Sequence, residues 1–362
     1  MKNRRVVVAM SGGVDSSVAA ALLQKQGYEV IGITMCFNLP DAATKKPRCC
    51  GLKGIEDARR VADKLGIRHY VLNMQKALEE KVIREFCLEY LSGRTPNPCV
   101  RCNQYVKFAA LLKKALSLGA QYLATGHYAR IAKSHSYQLK KAKDRRKDQS
   151  YFLYRLGQQQ LKHILFPLGN YVKGEVRELA RKFGLPVAQK AESQEICFLP
   201  GNNYREFLKQ QLSRYKKSSG KALAPGPIAD IAGKTVGRHK GIAFYTVGQR
   251  QGLGIAFGRP VYVVKIDKRN NRIVVGTKEE ASAREFLVKD AHFICRPVKK
   301  KVAVRVKIRY NHLETPAEAV PCGKSLKVKC KTPQFAVTPG QSAVFYRKDT
   351  VIGGGIIDKT TG

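Results

Sequence analysis

The sequence predicts an α/β protein whose first half is a doubly wound parallel sheet and whose end is a small antiparallel β-barrel. Three observations carry this. An apolar run near the start feeds a glycine turn and then a helix. Strand-like and helix-like segments alternate up to about residue 200, the pattern of a parallel sheet with crossover helices. After that, short period-two β runs appear, punctuated by Gly, Asn and Pro.

The first strand is Val6-Val7-Val8-Ala9-Met10, an unbroken apolar run suited to burial on both faces. Ser11-Gly12-Gly13 breaks it, and Asp15-Ser16-Ser17 opens a helix that ends at Gly27. Two adjacent glycines let the backbone turn sharply and bring its N–H groups close to an anion. The helix N-terminus behind them adds the partial positive charge of unpaired amides. Ser11, Ser16 and Ser17 supply hydroxyl donors, so strand, turn and helix together form a phosphate cradle. The cradle is not a Walker loop, because Asp15 stands where that pattern needs lysine, and it does not fit G-x-G-x-x-G. An ordinary βα turn would need only the two glycines.

Residues 28–34 read as a second strand, 55–65 as a helix with one apolar face, and 69–72 as a third strand. Helices follow over 78–91 and 105–118, and Tyr122-Leu123-Ala124-Thr125 leads into Gly126-His127. Ligands of such sheets bind at the carboxyl ends of strands, where Ser11, Met35 and Gly126 would lie. Residues 204–217 form a basic helix-like piece, and 218–227 a linker rich in Ser, Gly and Pro. The runs 261–266, 272–275 and 303–308 alternate with period two, and the final stretch suits the barrel.

Charge narrows the partners. The 362 residues hold 67 Lys+Arg against 27 Asp+Glu, a net +40 that points to nucleic acid. Residues 133–147 carry Lys133, Lys140, Lys141, Lys143, Arg145, Arg146 and Lys147 against Asp144 alone. In 303–310, Arg305, Lys307 and Arg309 alternate with Val304, Val306 and Ile308, which puts the cations on one strand face beside Tyr310. If roughly eight phosphates of a partly single-stranded target are neutralised, log K should fall with log salt at a slope near about −6. No run approaches the length of a membrane helix, and the short apolar N-terminal run leads straight into the loop, unlike a signal peptide. Ten cysteines without a secretion signal imply a reducing compartment, so the expectation is a cytoplasmic protein without structural disulfides.

Cys99 and Cys102 follow Pro96-Asn97-Pro98, a stiffened turn, in the Cys-x-x-Cys spacing of metal or thiol chemistry. The adjacent Cys49-Cys50 do not complete a zinc knuckle, and Cys197 is the third candidate. Cys36, Cys87, Cys295, Cys322 and Cys330 read as structural thiols.

SGGVDS resembles the PP-loop of the ATP pyrophosphatases, enzymes of adenine nucleotide α-hydrolase-like fold that cleave ATP between its α- and β-phosphates. Five more segments follow in one order: 95–103, Gly126-His127-Tyr128, Lys147-Asp148-Gln149-Ser150-Tyr151, the stretch around Cys197, and GIAFYTVGQRQGLGI over 241–255. With Arg309-Tyr310 they resemble the tRNA-specific 2-thiouridylases across essentially the whole chain. The resemblance implies a PP-loop catalytic domain over 1–203, a central tRNA-binding domain over 204–283 and the barrel over 284–362. It implies ATP held by Ala9, Met10, Ser11, Gly12, Gly13, Val14, Asp15, Ser16, Met35 and Gly126, with Mg2+ nearby. Cys197 would carry a persulfide, Cys102 would be the second thiol, and Arg101 or Lys107 could lower a thiol pKa. His127, Lys147, Asp148, Gln149, Arg309, Tyr310 and Gln341 would touch the tRNA anticodon loop, and a cysteine desulfurase or sulfur relay would supply sulfur. A monomer is expected. Many relatives carry aspartate where this chain has Cys99, and three thiols, Cys99, Cys102 and Cys197, could instead hold a [4Fe–4S] cluster with one iron open. Persulfide chemistry is the leading expectation. The alternatives are another ATP pyrophosphatase and a basic RNA-binding protein with a vestigial loop.

Overall fold

The computed structural model describes residues 4–40, 47–48, 52–192, 196–199, 203–212 and 220–361. Cys49-Cys50, the middle of the stretch before Cys197 and the end of the 204–217 helix lie outside the described residues. The chain divides into two compact units. The first comprises Met1–Val82, Cys99–Asn202 and Asp349–Val351; the second comprises Ile83–Pro98, Asn203–Lys348 and Ile352–Gly362.

The first unit is built on a five-stranded parallel sheet. Strands β1 (Arg5–Ala9) and β2 (Glu29–Cys36) flank α1 (Val14–Lys25), and α2 (Leu52–Leu65) leads to β3 (Arg68–Asn73). The short helix α3 (Gln75–Leu78) follows. Strand β4 (Tyr122–Ala124) pairs with the other side of β1, and Ile164–Leu165 forms the far edge, so β1 is central. That position explains the apolar run: Val6, Val7 and Val8 are fully buried, and α1 covers them with Val14, Val18, Ala19, Ala20, Leu22 and Leu23. The small alanines let α1 lie close on the sheet. The helix stops at Gly27 (φ +81), where Gly27 N–H bonds Gln24 O and Tyr28 N–H bonds Leu23 O, a left-handed cap that only glycine enters freely.

An antiparallel hairpin, β5 (Ala129–Lys133) and β6 (Tyr137–Lys141), completes this unit, with Thr350 and Val351 paired to Lys140 and Leu139. The first basic cluster therefore sits on a hairpin and the loop after it. Several of its cations are paired: Lys140 with Asp349 (3.9 Å) and Lys143 with Glu175 (3.1 Å). Arg145 and Arg146 are exposed.

The second unit holds α4 (Arg84–Leu91), α8 (Tyr204–Leu212), a four-stranded sheet and a barrel; α5 to α7 belong to the site below. Helix α4 meets α8 through Phe86 on Phe207 (6.1 Å) and Tyr90 stacked on Tyr204 (5.0 Å). The sheet comprises β7 (Gly226–Asp230), β8 (Thr235–His239), β9 (Tyr262–Asp267) and β10 (Arg272–Gly276). Six strands form the barrel: β11 (Ser282–Phe293), β12 (Val302–Lys307), β13 (Thr315–Cys322), β14 (Ser325–Phe335), β15 (Ser342–Arg347) and β16 (Thr350–Thr360). Pairing of β11 with β16 closes it, which removes the exposed edges. Val304, Val306 and Ile308 point into its core, as the alternation requires, while Arg305 stands outside and pairs with Glu314 (3.6 Å).

The thiol expectation needs one correction. Cys36, read as a structural thiol, is disulfide-bonded. Cys87, Cys99, Cys102, Cys197, Cys295, Cys322 and Cys330 are not disulfide-bonded. Among the described residues no helix is long and apolar enough to cross a membrane.

Candidate active site at the glycine loop

The register of the sheet gathers the loop residues. Ala9 pairs with Ile33 and Val8 with Ala124, so Ser11, Met35 and Gly126 all emerge at the carboxyl ends of adjacent parallel strands. Gly12 takes φ +68, and a Cβ there would lie 2.1 Å from Gly54 O, so the turn packs on α2 at a distance only glycine permits. Gly13 caps α1. Ser16 Oγ accepts from Ser11 N–H (3.1 Å), and the hydroxyls of Ser16 and Ser17 donate to Gly13 O (3.2 and 2.8 Å), which preorganises the turn. Gly126 abuts the helix start: a Cβ on it would sit 2.8 Å from Ser16 N.

Charged side chains from farther along the chain converge on this loop. Asp15 Oδ1 accepts from Tyr128 OH (2.8 Å) and from Lys173 Nζ (2.7 Å). Lys173 is the first residue of α7 (Lys173–Lys182), and its ammonium also meets Glu192 (3.1 Å) and lies over the Tyr128 ring. Glu192 in turn accepts from Lys147 (2.6 Å). The Lys147 hydrogen bond, with help from Lys173, holds the Glu192 carboxyl below its ordinary range despite burial. Burial and the Asp15 charge push the Tyr128 phenol well up, so it stays a donor. Lys190 Nζ donates to Gly12 O (2.9 Å) and to Asp57 Oδ2 (2.5 Å). Burial would raise the Asp57 pKa, but hydrogen bonds from Lys190 and Arg60 outweigh it and leave it lowered. Lys173, Lys190 and Glu192 were missed from the sequence. The absence of a lysine from the loop itself was the signal that could have prompted a search for them.

Asp15 is exposed enough to offer a hard oxygen, and among the described residues its Oδ2 accepts no hydrogen bond. That fits Mg2+, which binds one or two carboxylates together with substrate phosphates.

Three short helical pieces carry the first thiol pair: α5 (Pro98–Arg101), a wide-wound π-helix (Cys102–Leu111) and α6 (Leu112–Ser117). A π-helix of this length is rare, and such windings concentrate at functional sites. Cys102 is buried, Cys99 half-buried and Cys197 exposed. Burial, together with the neighbouring Cys197 thiol, pushes Cys99 up to about 11. Cys99 therefore stays protonated near neutral pH. Asn103, next to Cys102, donates to Phe152 O (3.2 Å), and its Oδ1 has no partner among the described residues. No three His, Cys, Asp or Glu side chains among the described residues stand together as a metal-ligand group. The expected [4Fe–4S] ligands Cys99, Cys102 and Cys197 are not gathered into such a group among the described residues.

The residues expected to touch RNA fall in both units. In the first, the ring of His127 lies among Phe108 (5.9 Å), Phe166 (6.0 Å) and Thr125 Oγ1 (2.7 Å from Nδ1). Burial and the Lys107 cation drive its pKa well below the ordinary value, so it is neutral. Asp148 holds its own loop, accepting from Ala142 N–H (2.9 Å) and Ser150 Oγ (2.8 Å), and Gln149 Oε1 accepts from Tyr128 N–H (3.0 Å). In the second unit, Arg309 Nη2 donates to Val247 O (2.8 Å) and to Thr338 Oγ1, and Lys307 lies over the Tyr310 ring. Gln341 Nε2 donates to Thr95 O (3.0 Å) and Pro96 O (3.2 Å), holding the proline turn that precedes Cys99.

Comparison with known proteins agrees with this geometry. Three family models tile the chain: a tRNA methyl transferase HUP domain over residues 4–201, a tRNA methyl transferase PRC-barrel domain over 207–277, and an aminomethyltransferase beta-barrel domain over 283–357. A tRNA-specific 2-thiouridylase MnmA of Pelotomaculum thermopropionicum is 53% identical over 368 residues, covering 99% of both chains. One from Caldanaerobacter subterraneus subsp. tengcongensis, named MnmA 1, is 51% identical over 99% of this chain and 98% of its own. A third, from Carboxydothermus hydrogenoformans, is 49% identical over 98% of each. With identity near half sustained from end to end, the chain belongs to the tRNA-specific 2-thiouridylase family.

Proposed function

We propose that this protein is an ATP-dependent tRNA-uridine 2-sulfurtransferase that installs sulfur at C2 of the wobble uridine. The observation that carries the reading is full-length identity of about half to proteins named for this activity. Beside it stands a glycine loop shaped for phosphates in the same unit as an exposed and a buried thiol.

The chemistry follows from the groups present. The uridine O2 is a poor leaving group, so it first attacks the α-phosphorus of ATP, and pyrophosphate departs into the loop around Gly12, Gly13 and Asp15. Met35 and Gly126 border the nucleotide on the neighbouring strands, and Mg2+ on Asp15 would neutralise phosphate charge. Cys197, being exposed, receives sulfur as a persulfide from a cysteine desulfurase or relay protein. The outer sulfur, released as sulfide or still attached, attacks C2; the C2–O bond breaks and AMP leaves. Cys102 supplies the two electrons that free this sulfur, forming a bond to Cys197, and an external thiol reduces that disulfide for the next turnover. Protonated Cys99 stays out of this exchange. The uridine must leave the anticodon stack to reach such a site, at about a few kcal/mol. His127, Lys147, Asp148 and Gln149 in one unit, and Arg309, Tyr310 and Gln341 in the other, are the proposed RNA contacts, with the strand segments after residue 204 adding tRNA-binding surface. The protein acts in the cytoplasm as a monomer.

The test is nucleoside mass spectrometry of tRNA from cells lacking this protein. Loss of 2-thiouridine, restored by the wild-type gene, is expected; an undiminished level refutes the function.

A further inference from the structure

A loop that binds a triphosphate must balance about four negative charges, yet residues 9–17 contain no Lys or Arg and bring a carboxylate of their own in Asp15. Backbone amides and hydroxyls orient phosphates but do not neutralise them. Among the described residues, two ammonium groups are bonded to loop atoms: Lys173, to Asp15 Oδ1 at 2.7 Å, and Lys190, to Gly12 O at 2.9 Å. We propose that Lys173 and Lys190 are the phosphate-binding cations of this loop and hold the pyrophosphate half of the nucleotide. The inference rests on the reading that ATP is used at the loop.

Hydrogen-bond capacity supports it. Each ammonium has three donors. Lys173 spends two, on Asp15 and Glu192, and Lys190 spends two, on Gly12 O and Asp57. Among the described residues, one N–H of each therefore remains for a phosphate oxygen. The side chains are also held in advance. Lys173 is only 13% exposed, fixed by two carboxylates and the Tyr128 ring, so little rotamer freedom is left to lose on binding. Lys190 is anchored to Asp57, which is 3% exposed.

Charge balance points the same way. Lys147, Lys173, Lys190 and Arg60 face Asp15, Asp57 and Glu192, so this network retains positive charge at the loop. Lys190 and Glu192 also sit a few residues before Cys197, placing a phosphate cation and the sulfur-carrying thiol on one short stretch of chain.

A purely structural role, pinning the chain around Lys173 and Lys190 to the loop, makes a different prediction. Calorimetric titration of the full chain with pyrophosphate, ATP and AMP in the presence of Mg2+ separates the two. Lys173→Gln and Lys190→Gln should each weaken pyrophosphate and ATP by about 10- to 100-fold, the worth of one charge-assisted hydrogen bond, and leave AMP within about twofold. Lys173→Arg should recover part of the loss. Because Lys190→Gln leaves Asp57 buried with one partner fewer, the double variant Asp57→Asn/Lys190→Gln repeats the measurement without that carboxylate charge. Unchanged pyrophosphate affinity, or equal weakening of AMP and pyrophosphate, overturns the proposal. If the wild-type protein binds neither pyrophosphate nor ATP, the nucleotide reading itself fails and takes this inference with it.

Discussion

Replacing Gly12 by alanine should damage this protein more than any comparable change in the loop. The backbone there has φ +68, a conformation that costs a residue with a Cβ roughly 1–2 kcal/mol. The new methyl would stand 2.1 Å from Gly54 O, more than 1 Å short of an ordinary contact, and the obstacle is backbone of α2 that cannot rotate away. Overpacking of this kind adds about 1–3 kcal/mol. The sum, about 2–5 kcal/mol, corresponds to a melting shift of about 2–4 °C per kcal/mol in a unit of this size. Any relief must come from moving the loop by about 1 Å, and a misplacement of that size can cost about 100-fold in rate. Gly13→Ala is the matched control: its φ is −100, its Cβ would meet Ser11 Oγ at 3.4 Å, and it should cost about 1 kcal/mol or less. Thermal denaturation and pyrophosphate titration of both variants decide the matter. A Gly12→Ala protein with the melting temperature and pyrophosphate affinity of Gly13→Ala would refute the argument.

Three further outcomes are expected. Cys102→Ser should abolish 2-thiouridine formation while tRNA-dependent AMP–pyrophosphate chemistry from ATP persists, as read by mass spectrometry and pyrophosphate release; full thiolation would remove Cys102 from the mechanism. The Asp57 pKa is lowered in the folded chain, so the ion pairs with Lys190 and Arg60 stabilise above its ordinary value of 3.8 and are lost as pH falls through the lowered one. The difference in melting temperature between wild type and Asp57→Asn should therefore shrink as pH drops from about 6 toward 3, and a constant difference would contradict the linkage. Gln341→Ala removes two hydrogen bonds to Thr95 O and Pro96 O, worth about 1–3 kcal/mol together, and should speed amide exchange at Thr95, whose N–H bonds Pro339 O (2.9 Å). Unchanged exchange there would leave Gln341 without a positioning role.

Much of the first unit was legible because its signals are local. The valine run of β1, the glycine turn and the stop at Gly27 are each decided by neighbours in sequence, and all three appear where expected. Strand ends at Ser11, Met35 and Gly126 followed from the parallel topology alone. Long-range partners were hidden. Nothing near Lys133 announces that the basic cluster forms a hairpin completed by Thr350 and Val351. Lys173 and Lys190 look like ordinary surface lysines until the fold delivers them to Asp15 and Gly12. Asp148 accepts hydrogen bonds from Ala142 N–H and Ser150 Oγ within its own loop, partners that the sequence does not announce. The π-helical winding that begins at Cys102 has no propensity signature, since the same side chains suit an α-helix.

The two compact units are interleaved along the chain, and this bears on how the protein is made. Residues Ile83–Pro98 belong to the second unit although they are synthesised in the middle of the first, and Asp349–Val351 belong to the first although they come almost last. During translation the nascent glycine-loop unit therefore emerges with the outer edge of its hairpin strand β6 unpaired. It waits for more than half the polypeptide before Thr350 and Val351 arrive to cover that strand. Arg130 and Lys140 wait equally long for Asp349. An exposed strand edge on a growing chain is a site for mispairing, and the lysines along β6 are a natural guard against it. A fragment cut anywhere between the glycine loop and the barrel would leave both units incomplete.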